Sequence, residues 1–310
     1  MADIVVSEFM DEAIAREAFA GHDLLFDPTL VDDEARLLRE AASAKALIVR
    51  NRTQVRGGLL EAAQNLQVVG RLGVGLDNID LAACKARGVA VRPASGANDL
   101  SVAEYVITAA LVLLRGAWLS SGDVAGGAWP RGALIGREMS GKTLGLIGFG
   151  AIARETGMRA AALGMEVIAH DPFLPAEDPA WRAAKSVELS DLYAAADVVS
   201  LHTPLTPETR GLLGADAIAR MKTGAIVINA ARGGVVDEAA LAAALKDGRL
   251  GGAALDVFET EPLTEAAGAK FAGLPNLLLT PHIAGVTEES NIRVSRVTAE
   301  NVLAELAKRG

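Results

Sequence analysis

Four short apolar runs in the second half of the chain, Val198–Leu201, Ala225–Ile228, Ala253–Leu255 and Leu277–Leu279, each break into a polar and distinctive tip. The tips are His202-Thr203-Pro204, then Asn229-Ala230-Ala231-Arg232-Gly233-Gly234, then Asp256-Val257-Phe258-Glu259-Thr260-Glu261-Pro262, and last Thr280-Pro281-His282-Ile283-Ala284-Gly285. One polar strand end means little. Four in succession outline the rim of an active site, because ligands of open α/β sheets gather beyond the carboxyl ends of the strands. Histidine is the natural proton donor near neutral pH, and the sequence has only 4. His22 sits in a loop before an early strand and reads as a surface residue. His170 adjoins Asp171, and His202 leads into Thr203-Pro204, which suits the wall of a cofactor cleft. His282 is left as the candidate acid. Glu261 reads equally as a solvated loop carboxylate and Arg232 as a surface charge, and sequence alone does not bring the three together.

The stretch Lys142 to Pro172 shows what kind of cofactor such a rim serves. An apolar run, Thr143 to Ile147, turns through Gly148-Phe149-Gly150 into an Ala-rich helical stretch opened by Ala151 and Ile152, and a second apolar run ends in Asp171. Gly148 permits the tight turn, Gly150 lets a pyrophosphate approach the backbone, and the helix N-terminus offers free N–H groups and partial positive charge. Ala153 stands at the third motif position and still allows close helix-to-strand packing. Asp171 lies where a carboxylate accepts hydrogen bonds from an adenosine ribose, and no arginine follows it to neutralise a 2'-phosphate, so the expected coenzyme is NAD. Hydride transfer to a ketone then needs a cation for the substrate carboxylate and carbonyl, an acid for the developing alkoxide, and a group tuning that acid.

Composition narrows the partners. The chain has 310 residues, 51% of them apolar, and a formal charge of -9, so it is long enough for two domains and lacks the basic footprint of a nucleic-acid binder. The longest uncharged apolar stretch, Tyr105 to Leu114, is half a membrane span, and the opening residues have no secretory pattern, which predicts a cytoplasmic protein without a membrane partner. One cysteine, Cys84, and scattered histidines make no metal-ligand spacing; Cys84 reads as core.

Ahead of the coenzyme motif, apolar runs at Ile4–Val6, Leu24–Phe26, Ala46–Val49, Val68–Val69 and Val89–Val91 alternate with helical patterns such as Asp33–Ala42 and Ile79–Arg87, predicting a parallel β/α unit. Its third and fourth strands run into Arg50-Asn51-Arg52-Thr53 and Arg71-Leu72-Gly73-Val74-Gly75. Gly73, Val74 and Gly75 would bare backbone N–H groups to an anion, although a plain turn explains them as well. Arg50 and Arg52, as alternate residues of an extended segment, would face the same side. Ser101 to Glu104 reads as a capping box opening a helix, apolar all round and therefore buried all round, between domains or against a second copy. Residues 120–140 read as loop with one helical turn. Thr287 caps a final helix to Lys308, in which Ile292, Val294, Val297, Val302, Leu303 and Leu306 would form the buried side.

GFGAIA with HDP, NAARGGVVDEAAL, DVFETEP and TPHIAG, in that order and spacing, resemble the D-isomer-specific 2-hydroxyacid dehydrogenases, as do RLGVGLDNID and SVAEY. The resemblance implies an α/β protein with a Rossmann-type NAD-binding domain, 99–285, inserted into a flavodoxin-like substrate domain, 1–98 and 286–310. It implies that Arg232 binds the keto acid, that His282 donates the proton, and that Glu261 hydrogen-bonds His282 and favours its protonated form. It further implies that Asp256 contacts the nicotinamide amide, that His202, Thr203, Pro204, Ala230 and Ala231 line the coenzyme, and that the protein is a homodimer. VRNRT and the glycine loop look closest to D-3-phosphoglycerate dehydrogenases, while the short chain and SEFMDE resemble (S)-sulfolactate dehydrogenases. The expected substrate is thus a small 2-hydroxy or 2-keto acid with a second anion on C3, held by Arg50 and Arg52. A glyoxylate or hydroxypyruvate reductase and a non-catalytic NAD-binding scaffold are the alternatives.

Overall fold

The computed structural model describes residues 2–309. The chain forms two compact units, Met1–Asn98 with Val286–Gly310, and Asp99–Gly285. The first unit opens with β1 (Ile4–Val6), α1 (Glu12–Ala18), β2 (Leu24–Phe26), α2 (Glu34–Ala41), β3 (Ala46–Val49), α3 (Gly57–Ala62), β4 (Val68–Arg71), α4 (Leu81–Ala86) and β5 (Ala90–Pro93). All neighbouring strands are parallel, in the order β2-β1-β3-β4-β5, the doubly wound arrangement of flavodoxin. β1 and β3 are buried throughout, as expected of Val/Ile/Leu runs covered by helices on both faces. Asp11, Asp33 and Asp80 cap α1, α2 and α4 by accepting from a first-turn N–H, which is why those helices begin where they do. Cys84 is buried in this unit's core.

The second unit runs α5 (Asp99–Arg115), α6 (Ser121–Ala125), β6 (Thr143–Ile147), α7 (Ala151–Ala162), β7 (Glu166–His170), β8 (Lys185–Ser186), α8 (Leu189–Ala195), β9 (Val198–Leu201), α9 (Ala215–Arg220), β10 (Ala225–Asn229), α10 (Glu238–Lys246), β11 (Leu250–Leu255), α11 (Glu265–Gly268) and β12 (Leu277–Leu279). Its seven parallel strands lie in the order β12-β11-β10-β9-β6-β7-β8. Read from the β8 edge, this is the Rossmann order, with the direction of winding reversing between β6 and β9. β8 is invisible to pattern reading because two exposed residues carry no apolar run. The chain then returns to the first unit as α12 (Glu288–Ala307), capped by a reciprocal Thr287–Ser290 box.

Three expectations about helices are corrected. α5 begins at Asp99, so Ser101 lies in its first turn and is not the cap. Nor is α5 buried all round: Val102, Val106, Ala110 and Leu113 face the core, while Leu100, Glu104, Thr108, Leu111 and Arg115 form an exposed stripe. An uncharged run hides such a stripe because threonine suits either environment and single leucines are tolerated at the surface. In α12, Val294 and Val302 are buried with Ser295, Thr298 and Ala299, whereas Ile292 is exposed. Small polar residues fill the buried side there, which hydropathy alone does not mark. No helix among the described residues is long and apolar enough to cross a membrane.

Candidate active site

Parallel strands of one sheet end on the same edge, so β10, β11 and β12 deliver their three carboxyl-end loops side by side. The first loop carries Arg232. Asn229, buried at the end of β10, braces it: its Nδ2 donates to the Arg232 carbonyl at 2.9 Å and its Oδ1 accepts from the Ala231 N–H at 3.1 Å. The Arg232 guanidinium also reaches the Ala231 carbonyl, 2.6 Å away. The next residue must be glycine for a steric reason: a Cβ at Gly233 would sit 1.7 Å from the Phe258 carbonyl oxygen. The Arg232 loop is thereby pressed directly onto the loop of Glu261.

Glu261 accepts from the Phe258 N–H at 3.0 Å through one oxygen and meets His282 Nδ1 at 2.7 Å through the other. Burial opposes its charge, but the His282 contact, the Phe258 N–H and the Arg232 charge outweigh it and hold the carboxyl below its usual range. The Glu261 loop is fixed in turn by Glu238 at the start of α10. Glu238 and Glu259 each accept the other's backbone N–H, and Lys270 reaches Glu238 at 2.7 Å. His282 itself has φ +57, a left-handed conformation that costs a non-glycine residue energy and recurs at functional sites. Asp256 holds it there: the Asp256 carbonyl accepts from the His282 N–H at 2.8 Å, and its carboxylate accepts from Ile283 and Ala284, each at 2.8 Å. Three residues far apart in the chain are thus coupled: the His282 imidazole meets the Glu261 carboxylate, and the Arg232 charge acts on that same carboxylate. The second ring nitrogen, Nε2, is left for a reacting oxygen.

His202 is excluded as the acid. It bonds the Ser200 hydroxyl at 3.0 Å, and burial pushes its pKa down to about 4, so it is neutral at ordinary pH. His170 bonds the Val187 carbonyl at 3.0 Å, and His22 is exposed.

The dinucleotide loop fits its expected ligand. Gly148 has φ +86, and a Cβ there would lie 2.7 Å from the His202 carbonyl, so only glycine lets β6 turn under β9. A Cβ on Gly150 would meet nothing within 4 Å, and no side chain caps α7 at Gly150, which leaves open space over a helix N-terminus. Among the described residues the buried Thr203 hydroxyl has no hydrogen-bond partner. Ala153 is fully buried under the helix. Asp171 accepts from the Phe149 N–H at 2.8 Å and the Phe173 N–H at 3.0 Å, so it also shapes the loop, and each oxygen keeps a lone pair for a ribose hydroxyl. Asp256, expected at the nicotinamide amide, is committed to its own loop, with one lone pair remaining on Oδ2.

In the first unit, residues 50–53 are not extended, and the expectation drawn from alternate residues fails. The loop curls around the buried Glu8 carboxylate, which accepts the N–H groups of Arg50, Asn51, Arg52 and Thr53 at 2.9 to 3.3 Å. The two arginines consequently differ. Arg52 is ion-paired with Asp32 at the surface. Arg50 is half-buried, bonds Asn291 Oδ1 at 3.2 Å and lies 5.7 Å from the Phe9 ring centroid; among the described residues no carboxylate lies within ion-pair distance of it. Gly73 has φ +131, but its N–H turns back onto the Arg71 carbonyl at 2.8 Å, so it is not bared to an anion; Val74 is exposed. Sequence reasoning missed Glu8, Asn229 and Glu238. The signal for Asn229 was there, an amide at the end of an apolar strand three residues before the arginine; Glu8 and Glu238 carried none. No group of three or more His, Cys, Asp or Glu that could hold a metal occurs among the described residues.

Residues 107–284 match the family model described as D-isomer specific 2-hydroxyacid dehydrogenase, NAD binding domain. The chain is 55% identical, over the full length of both, to an (S)-sulfolactate dehydrogenase of Chromohalobacter salexigens. It is 42% identical over 267 residues to a D-3-phosphoglycerate dehydrogenase of Archaeoglobus fulgidus, matching 86% of this chain and 50% of that one. Among solved structures, D-lactate dehydrogenase from Aquifex aeolicus, complexed with NAD and lactic acid, superimposes with a TM-score of 0.85 at 29% identity, covering 98% of this chain and 95% of the other. The chain belongs to the D-isomer-specific 2-hydroxyacid dehydrogenase family. It is an NAD-dependent oxidoreductase of that class.

Proposed function

We propose that the protein interconverts a 2-hydroxy acid bearing an anion on C3 with its 2-keto acid, and that the substrate is of the 3-sulfolactate/3-sulfopyruvate type. The observation that carries the C3 anion is Arg50, a half-buried guanidinium at the end of β3 that bonds Asn291 and, among the described residues, has no carboxylate at ion-pair distance, the buried Glu8 charge acting on it only from further away. A desolvated cation of that kind is completed by an outside anion. The 55% identity to an (S)-sulfolactate dehydrogenase supports the sulfonate. In the direction of reduction, bound NADH would supply the hydride for the carbonyl carbon. Arg232 holds the substrate carboxylate. His282 donates the Nε2 proton to the carbonyl oxygen, and Glu261, on Nδ1, stabilises the imidazolium before transfer. In oxidation the neutral imidazole takes the hydroxyl proton back. Asp171 takes the ribose hydroxyls, Gly150, Ala151 and Ile152 the pyrophosphate, and Thr203 the dinucleotide through its unpartnered hydroxyl. A cytoplasmic homodimer is part of the same proposal: Leu111, Trp118, Val124, Trp129 and Ile135, all within one stretch of the chain, are exposed large apolar residues of the kind a subunit interface covers.

The test is a reduction assay with NADH over 3-sulfopyruvate, 3-phosphohydroxypyruvate, hydroxypyruvate and glyoxylate, with His282→Ala as the companion variant. The proposal expects the highest kcat/KM on 3-sulfopyruvate, and a kcat lowered about 100- to 10,000-fold in the variant with NADH affinity nearly intact. A preference for the uncharged analogues overturns the C3 anion, and a near-normal kcat overturns the acid. Light scattering giving a monomer removes the dimer.

A further inference from the structure

Behind the His282 loop runs a hydrogen-bonded chain that leads away from the reacting atoms. The Tyr105 hydroxyl, on α5, lies 2.6 Å from the Thr280 hydroxyl, and the Thr280 hydroxyl lies 2.6 Å from Asp256 Oδ1. The direction of every bond follows from chemistry. Asp256 already accepts two backbone N–H groups, from Ile283 and Ala284, so as a carboxylate it accepts from Thr280 as well. Thr280 spends its only proton there and must therefore accept from Tyr105. Tyr105 is the terminal donor. Asp256 is 1% exposed and Tyr105 half-buried, so water does not readily replace either link.

We propose that Tyr105 and Thr280 are positioning residues for the reaction, acting through Asp256 to hold His282 in its left-handed conformation against Glu261. This rests on the reading of His282 as the acid. What the chain supplies is restraint. A residue at φ +57 persists only where its surroundings over-determine it. Three bonds from Asp256 do so at His282, Ile283 and Ala284, and the Asp256 side chain is itself oriented by Thr280. Without the Thr280 hydroxyl, Oδ1 loses one of its two donors, the carboxylate can rotate, and the 2.7 Å contact between His282 Nδ1 and Glu261 loosens. Tyr105 is one bond further back, so its removal should act in the same sense and more weakly.

The variants are Thr280→Val, Thr280→Ser and Tyr105→Phe in the full-length protein, which remove or keep the hydroxyls at nearly constant volume. Measured are kcat and KM against pH in the reduction direction, NADH affinity by fluorescence, and the melting temperature. Thr280→Val should lose about 10- to 150-fold in kcat, the range for a hydrogen bond to a charged group, and Tyr105→Phe about 2- to 10-fold, the range for a neutral one. The alkaline limb of the kcat profile should move to lower pH in both, because the imidazolium has lost part of its carboxylate contact. Thr280→Ser should restore kcat and profile, and NADH affinity should be unchanged. Wild-type kcat and profile in Thr280→Val overturn the inference. So does a loss of kcat that tracks the melting temperature with an unmoved profile, since that is a merely structural role. His282→Ala separates the two levels: if it stays active, the acid assignment itself has failed, whereas an inactive His282→Ala beside an unaffected Thr280→Val condemns only the relay.

Discussion

Replacing Gly233 by alanine adds one carbon at the point where the Arg232 and Glu261 loops touch. That carbon would lie 1.7 Å from the Phe258 carbonyl oxygen, 2.1 Å from the carbonyl carbon and 2.8 Å from the Glu259 nitrogen. All three are backbone atoms, so no side-chain rotation relieves the clash. Ordinary contact begins near 3.4 Å, and the loops must part by roughly 1.5 Å or more. Arg232 precedes the new methyl, and Glu261 is tied to Phe258 N–H, so the displacement is shared between cation and carboxylate. A misplacement of about 1 Å costs on the order of 100-fold in rate, and overpacking costs about 1 to 3 kcal/mol of stability. We expect Gly233→Ala to fold, to melt several degrees lower and to lose about 100-fold or more in kcat/KM. Gly58→Ala, with nothing near its new Cβ, serves as the control and should match the wild type. The assay is steady-state reduction with NADH beside differential scanning fluorimetry. A folded Gly233→Ala enzyme within about threefold of wild-type kcat/KM would falsify the loop-on-loop geometry.

Gly150→Ala should fold normally, since its Cβ meets no protein atom, and should weaken NADH binding about tenfold or more by filling the space over α7; unchanged affinity in a titration refutes that cradle. Arg50→Ala should lose about 10- to 150-fold in kcat/KM on 3-sulfopyruvate and 3-phosphohydroxypyruvate and far less on glyoxylate, while Arg52→Ala, whose partner is Asp32, changes each by under about threefold. Equal losses on charged and uncharged substrates contradict the assignment. His202 is neutral in the fold, with its pKa pushed down by burial to about 4, so the sign is definite: its contribution is full above the ordinary histidine pKa and is lost as pH falls from about 6.5 toward 4. Urea unfolding at about pH 7 and about pH 4.5 should show a loss, roughly 2 to 4 kcal/mol at its limit, that is smaller in His202→Gln; the same acid sensitivity in both proteins refutes it.

Much of this enzyme was written locally. β1, β3, β6, β9 and β12 are apolar runs whose limits coincide with the observed strands, and Gly148, Gly150 and Asp171 announced a dinucleotide site because each answers a local need: a left-handed turn, an open backbone, a carboxylate at a strand end. Strand-end position narrowed the histidines to His202 and His282, and the Thr203-Pro204 that follows His202 tipped the choice to His282. Where local patterns failed, the deciding interaction lay elsewhere in the chain. Residues 50–53 look extended in sequence, yet they wrap a carboxylate 42 to 45 residues away, because four N–H groups around one buried anion outweigh strand pairing there. That wrapping separated Arg50 from Arg52, which the sequence made equivalent. The meeting of Arg232, Glu261 and His282 depends on the strand order, since only adjacency of β10, β11 and β12 sets their loops edge to edge, and strand order follows from the packing of helices over the whole sheet. Tyr105 and Thr280 are 175 residues apart and meet at 2.6 Å. Residue types at strand ends supplied the candidates for the chemistry, and the order and spacing of the motifs, through their resemblance to a family, supplied the reaction class; the distances that hold His282 on Glu261 exist only once the sheet has closed around them, because hydrogen bonds act over about 3 Å and the chain carries no local record of which partners will come that near.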